Sequence, residues 1–153
     1  MVNEESIREL DSQDIAALRA FNCHQQNRWT KDVQRTIQID VVDLVDGALD
    51  ENIDAVALGW FEHSELIAVA VYSAGAHFEI LSLGVSANAQ GTGVGFRFKL
   101  HLIDLARELE FGQVFSRVHR ANHPMLSINY RLGAWLEVED EDRNFHICIV
   151  NVE

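Results

Sequence analysis

A chain of 153 residues, 48% hydrophobic and 24% charged, has the size and balance of one soluble globular domain. It is too apolar for disorder, yet it lacks the run of roughly 18 apolar residues that spans a bilayer. Its 24 acids against 12 bases, a formal charge of −12, exclude a protein built to grip a nucleic-acid backbone.

The first residues, MVNEESIREL, are acidic where a signal or transit peptide is basic, so the expected location is cytoplasmic. Cys23 and Cys148 fit no zinc or CxxC spacing and read as two reduced thiols. With no linker, repeat or low-complexity tract, residues 1–153 are assigned to a single domain. Ser6–Leu10 reads as a short strand, and Asp11 and Ser12 offer N-caps for a helix through Ile15, Leu18 and Phe21. Val33, Ile37, Val41, Leu44 and Val45 recur at three- and four-residue spacings, which predicts an amphipathic helix over 32–49.

At Ala55 the period changes. Ala55–Phe61 and Leu66–Ser73 are apolar runs joined by four polar residues, a hairpin signal. Glu79–Val85 is a further strand, and Gly84 inside it marks a bulge or a close backbone approach. Gly93–Leu109 is the clearest helix, with Val94, Phe98, Leu102, Leu105 and Leu109 in one stripe and Arg97, His101, Asp104 and Glu108 on another face. Gln113–Val118 reads as a strand, Met125–Leu132 as a short helix, and Ala134–Val138 and His146–Val152 as the last strands. The crossover through 79–118 is long enough to make one parallel pair; the other strands pair antiparallel in a mixed α/β sheet.

The turn Gln90-Gly91-Thr92-Gly93-Val94-Gly95 lies between strand and helix. Glycines there let backbone N–H groups close on an anion, and the helix start adds partial positive charge. Residues 80–136 carry six bases against three acids, which suits a compact anion within an otherwise acidic chain. A P-loop requires Lys-Ser/Thr after the last Gly, where this chain has Phe96-Arg97. A dinucleotide fingerprint requires its third Gly one residue later and an acid after the next strand, where this chain has Arg117-Val118-His119-Arg120.

The spacing Gln90-x-x-Gly93-x-Gly95 after a strand resembles the Q/R-x-x-G-x-G/A loop of the GNAT superfamily of acyl-CoA-dependent N-acetyltransferases. The order of elements is similar to that family over nearly the whole chain. The resemblance implies a mostly antiparallel mixed sheet flanked by helices, with one parallel pair splayed apart to hold acyl-CoA. It implies that Gln90, Gly91, Thr92, Gly93, Val94 and Gly95 hold the pyrophosphate. Backbone amides of a bulge around Leu83, Gly84 and Val85 would receive the developing oxyanion.

A second segment, Asn122 through Gly133, resembles the family's N-x-x-A/M … L-G-F run, with Ala134 in place of Phe. It implies that Asn122 contacts the pantetheine arm. Many members place a tyrosine seven residues after that Asn to protonate the leaving thiolate. Here that position is Asn129, and Tyr130 lies one residue later, about 100° further round an ideal helix. Tyr130 is carried forward as the acid, with Asn129 as the alternative on that face.

Amine acylation also needs a base, because an amine of pKa about 10.4 is almost wholly protonated at pH 7. Glu79, eleven positions before Gln90, resembles the strand glutamate that serves as base in one branch of the family. No Cys or Ser near the loop is placed as a nucleophile, so the expected reaction is direct transfer of an acetyl group from acetyl-CoA to an amine. The alternative is a non-catalytic CoA-binding sensor. His119 and His123 lack a third ligand, so no metal is expected. Trp29, Trp60 and Trp135 read as core or pocket-wall aromatics. The acids between Glu137 and Asp142 read as a solvated loop or a lure for a cationic amine. The sequence does not name the acceptor, peptide or small molecule, and leaves a homodimer open.

Overall fold

The computed structural model describes residues 5–24, 45, 47–50, 54–139 and 141–152. Among these residues seven strands form one sheet: β1 (Glu5–Glu9), β2 (Val56–Glu62), β3 (Glu65–Ala74), β4 (Phe78–Val85), β5 (Gln113–His119), β6 (Trp135–Val138) and β7 (Phe145–Asn151). Their spatial order is β1-β2-β3-β4-β5-β7-β6. Every neighbouring pair is antiparallel except β4–β5. The helices are α1 (Ile15–His24), α2 (Val94–Glu108) and α3 (His123–Arg131). The expected mixed sheet with a single parallel pair is therefore the observed fold. The helix expected over 32–49 lies outside the described residues except at Val45 and 47–49, which are helical. Among the described residues no helix is long and apolar enough to cross a membrane.

The hairpin turn is tighter than the sequence suggested. Glu62 pairs with Glu65, so only His63 and Ser64 turn the chain, with φ of 51° and 65°. Positive φ at both central residues matches the twist of the flanking strands. The strand β3 is buried at seven consecutive positions, Leu66–Tyr72, because the sheet is covered on both faces. On one face Val94, Phe98, Leu102, Ile103 and Ala106 of α2 pack on Trp60, Phe78, Ile80 and Val114. On the other, Leu18 and Val45 pack on Ala57, Phe61, Val69 and Val71. Gly59 is required for this second layer, since a Cβ there would lie 2.6 Å from Leu10 Cδ2.

The start of α1 is organised by a capping box. Asp11 accepts from Gln13 N–H (2.8 Å), and the Asp14 carboxylate accepts from Asp11 N–H (2.8 Å). Arg8 donates to both Asp14 oxygens at 2.9 Å and holds that carboxyl below its usual range. At its far end α2 stops at Glu108, so Leu109, placed in the apolar stripe by its spacing, is exposed.

Candidate functional site

The parallel pair holds for only three rungs, from Phe78 opposite Val114 to Ile80 opposite Ser116. Beyond that point Ser82–Val85 pair with β3 alone and Arg117–His119 with β7 alone, so the two strands part. The cause is one extra residue. Val71 pairs with Ser82 but Tyr72 with Ile80, leaving Leu81 as a bulge on β4. This corrects the expected position around Leu83, Gly84 and Val85. Those three continue in regular register opposite Ala70, Val69 and Ala68. The bulge also resets the alternation: Phe78, Ile80, Leu83 and Val85 join the core under α2, while Leu81 joins the opposite core.

The open end of this fork leads into the glycine turn. Ser86 N–H donates to Ile67 C=O (2.9 Å) and fixes the exit of β4, after which Ala87–Ala89 make a single 3₁₀ turn. The Gln90 side chain does not reach outward; its Nε2 donates to Val85 C=O at 3.1 Å. Thr92 Oγ1 likewise closes on Ala89 C=O. Both side chains stitch the turn internally, and the Gln90 and Thr92 amides do the same by donating to Ser86 C=O (3.1 Å) and Ala89 C=O (3.3 Å). Gly91 and Gly93 have φ of 80° and 87°, and open space surrounds any Cβ built on them. Their need is conformational: the left-handed region is costly for other residues. The first bond of α2 runs from Arg97 N–H to Gly93 C=O (3.0 Å), so the amides of Val94, Gly95 and Phe96 precede the helical ladder. Gly95 serves space instead, since a Cβ there would sit 3.2 Å from Ile128 Cδ1 of α3.

Asn122 is the N-cap of α3 and its Oδ1 accepts from Met125 N–H at 3.3 Å. That use as a cap leaves its amide NH₂ outside the capping bond. Seven residues on, Asn129 is fully buried, donates from Nδ2 to Met125 C=O (3.0 Å) and accepts from Lys99 Nζ. Tyr130 is 79% exposed. The regular helix from His123 thus turns Asn129 inward and Tyr130 out, the alternative the one-residue offset had allowed.

Lys99 was missed by sequence reasoning, which sorted α2 into an apolar stripe and a charged face. The signal lay in spacing: Lys99 stands four residues after Gly95 and four before Ile103, on the side of the helix turned to the sheet. It is 1% exposed and donates to Ser116 Oγ at 3.1 Å as well as to Asn129. Burial lowers its pKa to about 8. Buried Cys148 of β7 completes the cluster, its thiol pushed up by burial and so held neutral.

Glu79 lies on the other side of the sheet. Phe78 and Ile80 face α2, so the half-buried Glu79 between them faces away, next to Phe115 on β5. Phe115 meets the His77 ring edge-on at 5.2 Å. Further along that face Arg117 stacks on Phe145 (3.5 Å) and pairs with Glu139 at 2.5 Å, with Asp142 at 3.9 Å. Two of the loop acids are therefore occupied by Arg117. His119 accepts from Ala121 N–H through Nδ1 (3.0 Å), and burial lowers its pKa. Among the described residues no three His, Cys, Asp or Glu side chains gather around a common point as a metal site would require. Trp60 is core as expected, whereas Trp135 is 40% exposed on the edge strand β6, and Trp29 lies outside the described residues.

The sequence matches the acetyltransferase (GNAT) family over residues 18–134. Among curated proteins no sequence matches. Solved structures share the fold at low identity. The PaiA N-acetyltransferase of Thermoplasma acidophilum, in complex with coenzyme A, is 18% identical with a TM-score of 0.74, over 96% of this chain and 98% of that one. The ribosomal-protein-S18-alanine N-acetyltransferase of Escherichia coli is 14% identical with a TM-score of 0.71, over 97% and 94%. The yncA protein of Salmonella typhimurium, solved with acetyl-CoA, is 18% identical with a TM-score of 0.65, over 99% and 95%.

Proposed function

The chain belongs to the GNAT acetyltransferase family, and from that premise we propose that it transfers an acetyl group from acetyl-CoA to an amine by direct attack in a ternary complex. The observation that carries this reading is the fork between β4 and β5 opening beside the Gly91–Gly95 turn. The chain's own residues fit such a co-substrate. The turn offers backbone amides and a helix start to a pyrophosphate, with no acid between Ser86 and Leu100 to oppose it. The parted strands offer unpaired main chain to the amides of a pantetheine arm. Asn122 stands where α3 begins, with its NH₂ group available to that arm. When bound, acetyl-CoA supplies the activated thioester carbonyl.

Along Leu81–Val85 the backbone N–H groups not used in pairing with β3 are the ones that turn toward the gap, where they receive negative charge developing on the carbonyl oxygen. Glu79, beside the closed end of the fork and facing away from α2, takes the proton from the attacking nitrogen, directly or through water. The two N-acetyltransferases among the structural relatives support an amine acceptor. The outward position of Tyr130 favours a second reading, a CoA sensor without turnover.

Release of free CoA thiol from acetyl-CoA in the presence of a panel of peptide and small-molecule amines tests the proposal. Acceptor-dependent release supports transfer; CoA binding without release from any amine supports the sensor. Gly93→Asp strains a left-handed position and adds negative charge to the turn, so CoA binding by calorimetry should weaken at least tenfold, roughly 1.4 kcal/mol.

A further inference from the structure

The most unusual group in the molecule is the Lys99 ammonium, which is buried beneath the fork with no carboxylate against it among the described residues. Among the described residues its two acceptors are neutral oxygens, Ser116 Oγ and Asn129 Oδ1, which leaves one of its three N–H donors without an acceptor there. Cys148 approaches from β7, and burial favours its neutral thiol, so it brings no countercharge. A buried cation without an anion costs several kcal/mol, and an anion that arrives beside it recovers part of that cost.

The position indicates which anion. Ser116 is the last residue of β5 paired with β4, so it marks the apex of the fork. Lys99 lies beneath that apex, six residues or about 9 Å into α2 from Gly93. An acyl-CoA held by the turn and threaded into the fork brings its sulfur toward the apex. Asn129, on the buried face of α3, holds Lys99 there and occupies the place where the outward-turned Tyr130 cannot act.

We propose that Lys99 meets the departing CoA sulfur, neutralising the thiolate and supplying its proton. This rests on the reading that acetyl-CoA binds in the fork. The nitrogen–carbon bond forms and the carbon–sulfur bond breaks, with the bonding pair left on sulfur. Lys99 Nζ–H gives its proton to that sulfur and becomes a neutral amine, then regains a proton from water. Glu79 or water accepts the proton lost by the attacking nitrogen. A Lys99 pKa of about 8 lies close to the ~8.5 of an ordinary thiol, so the transfer is nearly balanced in either direction.

The test needs no acceptor. CoA is bound to the wild type and to Lys99→Met, binding is verified by calorimetry, and the bound thiol is titrated by the ultraviolet absorbance of its thiolate. The same titration with desulfo-CoA subtracts the protein's own cysteines. In the wild type the bound thiol should titrate at least about one pH unit below free CoA, as beside an ammonium still charged in that range. In Lys99→Met it should return to the free value or above. If Lys99→Met does not fold, Lys99→Met/Asn129→Leu, which leaves no amide unpaired, provides the comparison. CoA bound with the same thiol pKa in wild type and variant overturns this proposal alone. Failure of the wild type to bind CoA overturns the underlying reading and this proposal with it.

Discussion

The two faces of β5 at the fork treat charge in opposite ways. On the face toward α2, Ser116 meets a buried lysine whose partners among the described residues are all neutral. On the other face, Arg117 is half-exposed, stacked on Phe145 and paired with Glu139 and Asp142. Adjacent residues of one strand thus present an uncompensated cation to the interior and a fully compensated one to solvent. The first arrangement is costly and specific, the second cheap and replaceable. Under the proposed reaction the inner face receives the anion, and the outer face, which also carries Glu79, is where a proton leaves toward water.

The comparison is broken most severely at Glu79. Glu79→Gln should lower steady-state turnover by roughly 10²–10⁴ while CoA binding by calorimetry is retained, because only the proton acceptor is lost. Wild-type rates at neutral pH would remove Glu79 from the chemistry.

The inner face should announce itself in the pH dependence of stability. Lys99 is held at about 8 in the folded chain, against about 10.4 when unfolded. Between those values the unfolded chain binds more protons, so this group makes stability rise with pH, by about 3 kcal/mol at most. Cys148 acts in the opposite sense, since its raised pKa keeps a proton that the unfolded thiol loses. Urea unfolding of wild type and Lys99→Met at each pH separates them. The wild type should gain on the variant from pH 8 upward, and a constant difference would show that Lys99 does not titrate in this window.

Removing single partners sharpens the contrast further. Asn129→Leu strips a neutral acceptor from a buried ammonium and should cost about 2 kcal/mol in urea unfolding. Arg117→Ala, across the same strand, should cost below about 1 kcal/mol despite its stacking on Phe145 and its two acids. Equal losses would mean that burial does not separate the two faces. The smallest effect belongs to Tyr130→Phe, which should change turnover by no more than about twofold, as at other exposed positions. A tenfold loss would return Tyr130 to the role of acid.

Much of this architecture was legible in the letters. Apolar runs placed β2 and β3, the apolar stripe placed α2, and the spacing of Gly91, Gly93 and Gly95 placed the turn. These are local signals, written in one segment at a time. The bulge at Leu81 was not legible, because register is a property of two strands and depends on how β3 pairs. Gly84 is the irregularity that composition predicts, yet its backbone is in regular register with Val69. Lys99 escaped because a lysine is ordinarily solvated; only its partners on β5 and α3, distant in sequence, make its burial tolerable. The rotation of Tyr130 was decidable in principle from ideal helical geometry, and required only that Pro124 leave α3 regular.

Gly95 has a role beyond admitting Ile128. Its missing side chain lets α2 lie against α3 at one turn, and Lys99 joins the same two helices through Asn129 at the next. Two successive contacts along one helix face act as a hinge pin fixed at two points, which resists rotation where one point would allow it. A ligand that tightens the first turn of α2 is therefore felt at α3, and whatever steadies α3 strengthens the grip of that turn by the same factor, since such coupling is reciprocal.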